Sequence, residues 1–156
     1  MKMLTTKRNL ILGLVLLGSP CLVQAEDLQT EFQNTLANAN NGHVEAMFKM
    51  GEIYQYGMGV KESLNDAVVW YAEAARNGHP GGAYQMGYAH YWGKGGVPKD
   101  YAKAMEWFKI AADKNERAAY PYLAKMYSMG QGVTADKSIA KKYESLANRR
   151  TSSSLR

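Results

Sequence analysis

Cysteine is nearly absent from this sequence of 156 residues, which contains only Cys21. A single cysteine cannot close a disulfide within one chain, so the fold must be held together by its hydrophobic core. Cys21 lies near the N-terminus, where an exported protein can carry a lipid-modified cysteine. Pro20 directly before it fits a bacterial lipoprotein signal poorly, so lipidation is kept only as an alternative.

A long hydrophobic run is also missing. The longest apolar stretch, residues 10–18, falls well short of the ~20 residues that a transmembrane helix needs. It follows the basic residues Lys7 and Arg8 and precedes small residues that end at Ala25, an order typical of a secretory signal peptide. We therefore predict a signal peptide over residues 1–25, cleaved after Ala25. The mature protein would be periplasmic or secreted, without stable insertion into a membrane.

Charge of one sign is not in large excess once this segment is set aside. The formal net charge of the whole chain is +5, and Lys2, Lys7 and Arg8 all belong to the predicted signal peptide. Their removal lowers the net charge to +2. Because binding to a nucleic acid depends on a concentrated basic surface, we expect no nucleic-acid partner.

Glycine, by contrast, is abundant, and most of the 15 glycines lie within a pattern that occurs three times. Met50 and Met86 occupy the same position in the first two copies and are 36 residues apart, whereas Trp70 and Trp107 are 37 apart. One additional residue in the second copy, Gly96, accounts for this difference. The copies therefore stay in register on both sides of a single insertion, and the repeat is real.

Each copy has the features of two helices joined by a tight turn. A first glycine ends one helix in the left-handed conformation, and a second lets the chain reverse; these pairs are Gly57 and Gly59, Gly93 and Gly95, and Gly130 and Gly132. A good N-cap residue then starts the second helix; it is Ser63, Asp100 or Asp136. In that helix Trp70 and Trp107 stand beside small alanines, which predicts a structural role for both indoles.

The register gives the organisation of the chain. We predict repeats at about residues 43–78, 79–115 and 116–148. A capping helix is expected over residues 26–42, because the Asn-Gly-His turn at its end recurs 36 residues later. The remaining residues, 149–156, are expected to be a disordered polar tail. A polar end on each side is what a short helical solenoid needs to stay soluble.

The copies share one order of residues: alanine, Met-Gly, tyrosine, Gly-x-Gly-Val, alanine, Trp-aromatic and paired alanines. This order resembles the Sel-1-like repeat, a relative of the tetratricopeptide repeat. The first copy fits almost throughout, and the third departs most, with Tyr143 in place of tryptophan. The resemblance implies an all-α fold of stacked helix pairs in a short right-handed superhelix. It also implies an exported bacterial scaffold for protein–protein contact.

One feature is not required by the repeat. When the core positions of the first helices are set aside, a second stripe remains, which is richest in aromatic residues in the second copy. In tetratricopeptide-like arrays the first helices line the concave side, and tyrosine and tryptophan are enriched where binding energy concentrates. The predicted groove residues are Phe48, Glu52, Tyr84, Tyr88, Tyr91, Trp92 and Lys125. Packing between repeats is the alternative, and for Trp92 both are left open.

Sites for catalysis or metal binding are not indicated. His43 and His79 share one turn position, and His90 takes the place of a core tyrosine, so turn and packing roles explain all three. The Gly93–Gly96 segment lacks the Lys-Ser/Thr ending of a phosphate loop, and the histidines lack zinc-ligand spacing. We therefore predict no cofactor, no metal and no enzymatic activity.

The predicted function is an exported scaffold that holds an unidentified partner protein in the aromatic groove. Envelope regulation, contact with a host and neutralisation of a toxin are all compatible with the resemblance. The alternative is a module that stacks the same aromatic rings on a glycan or on fragments of peptidoglycan.

Overall fold

The computed structural model describes residues 20–149, and their side chains from residue 27 onward. The apolar run of the predicted signal peptide and nearly all of the predicted polar tail therefore lie outside the described residues. So do the side chain of Cys21, the residue considered for lipidation, and the side chains at the predicted cleavage point after Ala25.

The described chain is entirely helical outside its turns, which confirms the predicted all-α repeat fold. Seven helices follow one another in residues 20–149: α1 (Pro20–Asn40), α2 (Val44–Tyr56), α3 (Leu64–Arg76), α4 (Pro80–Trp92), α5 (Tyr101–Asp113), α6 (Ala119–Met129) and α7 (Lys137–Asn148). Helices α2 and α3 form the first repeat, α4 and α5 the second, and α6 and α7 the third.

The N-terminal helix α1 packs against α2 and covers the open side of the first repeat. Phe32 and Ala39 are its buried apolar side chains and join a core with Met47, Met50 and Ile53. Within the described residues the helix extends back to Pro20, beyond the predicted start at residue 26. No proline or glycine interrupts residues 21–40.

The helix ends show how the repeat sequence defines its turns. Ser63, Asp100 and Asp136 each accept a hydrogen bond from a backbone N–H in the first turn of the following helix, which confirms the predicted N-caps. At the other end of each repeat's first helix, a glycine adopts the left-handed conformation that closes it; these are Gly57, Gly93 and Gly130.

The second glycine of each turn does more than let the chain reverse. Gly59 lies against the backbone of Leu28 in α1, Gly95 against Leu64 in α3, and Gly132 against Tyr101 in α5. A Cβ atom at any of the three would overlap the backbone of the helix that it contacts. Each repeat is thus seated on the one before it by backbone contact at this turn.

The extensive helix contacts all join neighbours in the sequence, as expected for a short solenoid. Trp70 packs against the first core, which lies between α1, α2 and α3. Trp107 packs against the second and larger core, which extends from α3 to α7 and contains Phe108, Leu123 and Met126.

Alanine substitution of two turn glycines separates backbone strain from steric overlap. Gly42 and Gly132 both have positive φ angles, +87° and +68°, but only Gly132 has neighbours within reach of a Cβ atom. We expect Gly42→Ala to lower the free energy of unfolding by about 1–2 kcal/mol, the cost of the left-handed conformation. Gly132→Ala adds overpacking against Tyr101, roughly 1–3 kcal/mol more. Urea denaturation measures both changes in the free energy of unfolding. Equal losses in the two variants would contradict the close contact of Gly132 with the backbone of Tyr101.

Candidate functional site

The residues predicted to form a groove lie on what we call the first-helix face. It is formed by Phe48 and Glu52 from α2, Tyr84, Tyr88 and Trp92 from α4, and Lys125 from α6. Phe48, Glu52, Tyr84 and Tyr88 are half-buried, whereas Lys125 is exposed. The indole of Trp92 is 48% exposed and has ring contacts with Tyr88 and Tyr91, so it is accessible and packed at the same time.

The prediction that Tyr91 belongs to this accessible surface is wrong. Its side chain is only 2% exposed, because Tyr101 and Tyr122 lie against its ring at centroid distances of 5.1 and 5.3 Å. Its hydroxyl donates a hydrogen bond of 3.0 Å to Oε1 of Gln131. Helical spacing placed Tyr91 on the same stripe as Tyr84, but the third repeat covers that end of α4.

Phe48 has a clear structural contact, since it stacks on the ring of His79 with centroids 4.3 Å apart and planes 11° from parallel. Nδ1 of His79 accepts the N–H of Gly82 and so caps α4, and Nε2 then donates to Glu45 at 3.0 Å. The imidazole thus joins the first repeat to the second. This agrees with the predicted turn role of His79.

His90 also has the packing role that the sequence predicted. It is buried, and its Nδ1 lies 3.4 Å from the carbonyl oxygen of Pro98 in the turn that follows α4. Among the side chains described, those of residues 27–149, no group of three or more histidines, cysteines, aspartates or glutamates could hold a metal ion. No helix within residues 20–149 is long and apolar enough to span a membrane.

A cleft of about 320 Å³ opens between the first and second repeats. The first repeat contributes Gln55, Leu64 and Tyr71 to its lining, and the second contributes Tyr84, Gln85, Tyr88, Ala89 and Lys94. Two of the predicted groove residues, Tyr84 and Tyr88, are therefore brought together at one concavity. We call it the first cleft.

Polar contacts define the chemistry of the first cleft. The Tyr71 hydroxyl donates to Oε1 of Gln55 at 2.8 Å, which leaves the amide nitrogen of Gln55 as a donor. Nζ of Lys94 donates to the Tyr88 hydroxyl at 3.4 Å and lies 5.2 Å from the centroid of that ring. In the described part of the chain, no carboxylate forms an ion pair with Lys94. The cleft thus offers an apolar wall with hydrogen-bond donors and one positive charge.

The phenols beside the cleft stay protonated well into the alkaline range. Burial, together with Tyr122, raises the pKa of Tyr84 to about 12. Burial and then the negative charge of Glu52 also raise the pKa of Tyr71. Because burial disfavours the phenolate, both hydroxyls remain neutral groups at physiological pH.

Tyr122 is the main residue of this region that the sequence pattern did not reveal. It stacks on Phe108 with centroids 4.7 Å apart and contacts Tyr84, Tyr88 and Tyr91. The equivalent position in the second repeat is occupied by Gln85 on α4. Neither the repeat pattern nor the aromatic stripe therefore identified Tyr122. The clustering of tyrosines around the junction of α4 and α6 was the available signal.

Comparison with family models matches three copies of the Sel1 repeat, at residues 44–79, 80–116 and 118–148. Two solved structures are similar to the chain over 78% of its length: a protective antigen of uropathogenic Escherichia coli with an SLR fold, and a Sel1 repeat protein from Oxalobacter formigenes. The first has a TM-score of 0.74, 30% identity and 26% of its own chain covered. The second has a TM-score of 0.72, 32% identity and 49% covered.

Curated relatives also match. The ERAD-associated E3 ubiquitin-protein ligase component HRD3B of Arabidopsis thaliana is 32% identical over 107 residues, which are 68% of this chain and 17% of the relative. The chitin synthase regulator SKT5 of Saccharomyces cerevisiae is 32% identical over 100 residues, 60% of this chain and 14% of the relative. The chain thus spans less than a fifth of the length of these two relatives.

Alkaline titration tests the environment of the buried phenols. A folded-state pKa above the ordinary value of 10.0 means that the folded state holds its proton more tightly than the unfolded one. The contribution of Tyr84 to stability should therefore be complete below pH 10 and decline as the pH rises toward about 12. We expect Tyr84→Phe to reduce the fall in unfolding free energy over this range, measured by urea denaturation at several pH values. An unchanged pH dependence would contradict the assignment.

Proposed function

Because the chain belongs to the Sel1 repeat family, we propose that it is a non-enzymatic scaffold that binds a partner protein on the first-helix face around Tyr84 and Tyr88. The curated relatives are a component of a ubiquitin ligase and a regulator of a synthase. These descriptions support an accessory role here in place of a catalytic one. A separate unidentified protein is therefore the proposed partner.

One observation carries this proposal. Tyr84 and Tyr88 are half-buried around a cleft whose size is within the range of binding pockets, and the exposed indole of Trp92 lies next to Tyr88. Tyrosine and tryptophan place a large contact area on a partner at a small cost in conformational entropy. The first and third repeats have Glu52 and Lys125 at the position of Tyr88, and the third has Pro121 at the position of Tyr84, so the repeat itself does not require a ring at either position in every copy.

The proposed place of action is the periplasm or the extracellular space. The basic start, the short apolar run and the small residues before Glu26 support export by a cleaved signal peptide. Envelope regulation, host contact and toxin neutralisation are the settings in which such a scaffold would act. The distribution of charge on the mature sequence supports a protein partner in preference to a nucleic acid.

A glycan is the second candidate ligand, favoured by one observation. The half-exposed ring of Trp92 and the neighbouring ring of Tyr88 offer flat apolar surfaces on which a sugar could stack. The same rings would then serve a different class of ligand, such as a fragment of peptidoglycan.

Loss of two rings should weaken binding without unfolding the protein. We expect Tyr88→Ala combined with Trp92→Ala to reduce affinity for the partner about tenfold or more, because truncated aromatic anchors commonly cost over 1 kcal/mol each. A photo-crosslinking residue at position 88 should identify the partner in cells of the source organism, and calorimetry with the purified partner should measure the loss. Circular dichroism checks that helicity is kept.

The matched control is Val69→Ala on α3, a side chain that is 66% exposed and lies outside the first-helix face. It should leave binding unchanged, and a crosslinker at position 69 should yield no matching adduct. Equal binding by the double variant and the wild type would refute the proposal. Binding of purified peptidoglycan fragments that is lost in the double variant, with no protein adduct, would establish the glycan candidate in its place.

A further inference from the structure

We propose that the first cleft is a socket for one aromatic side chain of the partner, a tyrosine or phenylalanine with acidic residues beside it. This inference rests on the proposed function and specifies the chemistry of the partner. It follows from comparing the first cleft with the equivalent junction between the second and third repeats, which we call the second junction.

The same repeat positions line both places. With the interval of 36 or 37 residues, Gln55 corresponds to Tyr91, and Leu64 corresponds to Tyr101. Gln85 corresponds to Tyr122 in the same way, and Ala89 to Met126. At the second junction all four positions hold large side chains, and three of these are tyrosines.

The second junction is filled by these rings. Tyr91 contacts both Tyr101 and Tyr122, and Tyr122 stacks on Phe108. Tyr91 and Met126 are buried, with 2% and 0% exposure. The second junction therefore shows that phenol rings packed on a buried aromatic ring, the floor of the junction, fill a junction of this kind.

The first cleft also has a buried aromatic ring as its floor but lacks the large side chains that cover that ring at the second junction. Tyr71 occupies the position of Phe108 and is as deeply buried. Above it, Gln55, Gln85 and Ala89 replace two tyrosines and a methionine, and Leu64 replaces a third tyrosine. The volume of about 320 Å³ between the repeats is the space that these smaller side chains leave open.

The cleft cannot close by bringing α4 closer to α3. Near the start of α4, Gly82 already lies against the backbone of Tyr71 and Ala75, so that a Cβ atom would overlap both. Just beyond the end of α4, Gly95 lies against Leu64 and Val68. Because contacts at both ends hold the helix at this distance, the space is preformed and costs little to occupy.

The positive charge in the cleft lining determines which residues should flank the aromatic side chain of the partner. Lys94 occupies the position of Gln131, the residue whose side-chain oxygen accepts the Tyr91 hydroxyl at the second junction. A lysine offers only donors and a positive charge, and the amide nitrogen of Gln55 is a further donor. Glu52, one turn before Gln55, places a negative charge near Tyr71 in the floor but does not itself line the cleft, so Lys94 is the charged residue of the lining. A segment that carries carboxylates beside its ring therefore complements this site.

Three short peptides test the proposal on the purified protein: acetyl-Glu-Tyr-Glu-amide, acetyl-Gln-Tyr-Gln-amide and acetyl-Glu-Ala-Glu-amide. NMR titration should show that the first shifts the side-chain amide signals of Gln55 and Gln85. Its dissociation constant should be at least about fivefold lower than that of either of the others, the effect of one favourable contact. Equal shifts with the alanine peptide, or no shift with any of the three, would overturn the aromatic socket.

Two variants locate the binding. Gln85→Tyr combined with Ala89→Met, the filled variant, introduces two of the four large side chains of the second junction and should abolish the shifts while keeping or raising the melting temperature. Lys94→Gln, at an exposed position, should remove the preference for glutamate over glutamine without affecting folding, and it decides the matter if the filled variant is unstable. The matched control, Lys141→Gln on α7, should keep both the affinity and the preference.

Failure of the socket can be told apart from failure of the proposed function. If position 88 crosslinks to a protein partner and the filled variant binds that partner as the wild type does, the scaffold role stands and the socket is refuted. If no protein partner crosslinks and diacetylchitobiose shifts the same amide signals in place of the peptides, both are refuted. Binding that is lost in the filled variant and weakened in Lys94→Gln supports the socket.

Discussion

Backbone contact between the second glycine of each turn and the helix of the unit before it is the constraint on which the rest of this structure depends. Gly59, Gly95 and Gly132 lie where no side chain fits, against α1, α3 and α5 respectively. These contacts set the distance between successive repeats. Close approach of α4 to α3 at Gly82 adds to the same effect. The space left between the first helices follows from this spacing.

Because each helix packs mainly against its neighbours in sequence, the stability of such an array is approximately a sum over its repeats and their junctions. One junction can therefore be filled for stability while another stays open for a ligand. The second junction has become a buried cluster of tyrosines around Phe108 and Tyr122. The first keeps a cleft, and Phe48 and Glu45 of the first repeat are joined to His79 of the second by stacking and a hydrogen bond. Repeats of the same fold can thus serve two purposes within about a hundred residues, stable packing at the second junction and the proposed ligand binding at the first.

The predictability of the candidate site varied from residue to residue for a physical reason. Spacing along α4 predicted correctly that Tyr84 and Tyr88 share one side of the helix, since that depends on helix geometry alone. The same spacing failed for Tyr91, because burial there depends on Tyr101 and Tyr122 from other helices. Tyr122 itself was missed, since its position in the second repeat is held by a glutamine. The roles of His79 and His90 followed from their places in the repeat.

The sequence by itself determined the helices, their turns and the order of their stacking, because caps, glycines and apolar spacing act over a few residues and recur three times. Only the tertiary structure decided which parts of the aromatic stripe are accessible, and that the first junction is open while the second is closed. That outcome depends on side chains from three helices meeting in one place, at distances set by the turn glycines that contact the backbone of another helix. No single helix carries that information, and the repeat pattern treats both junctions alike.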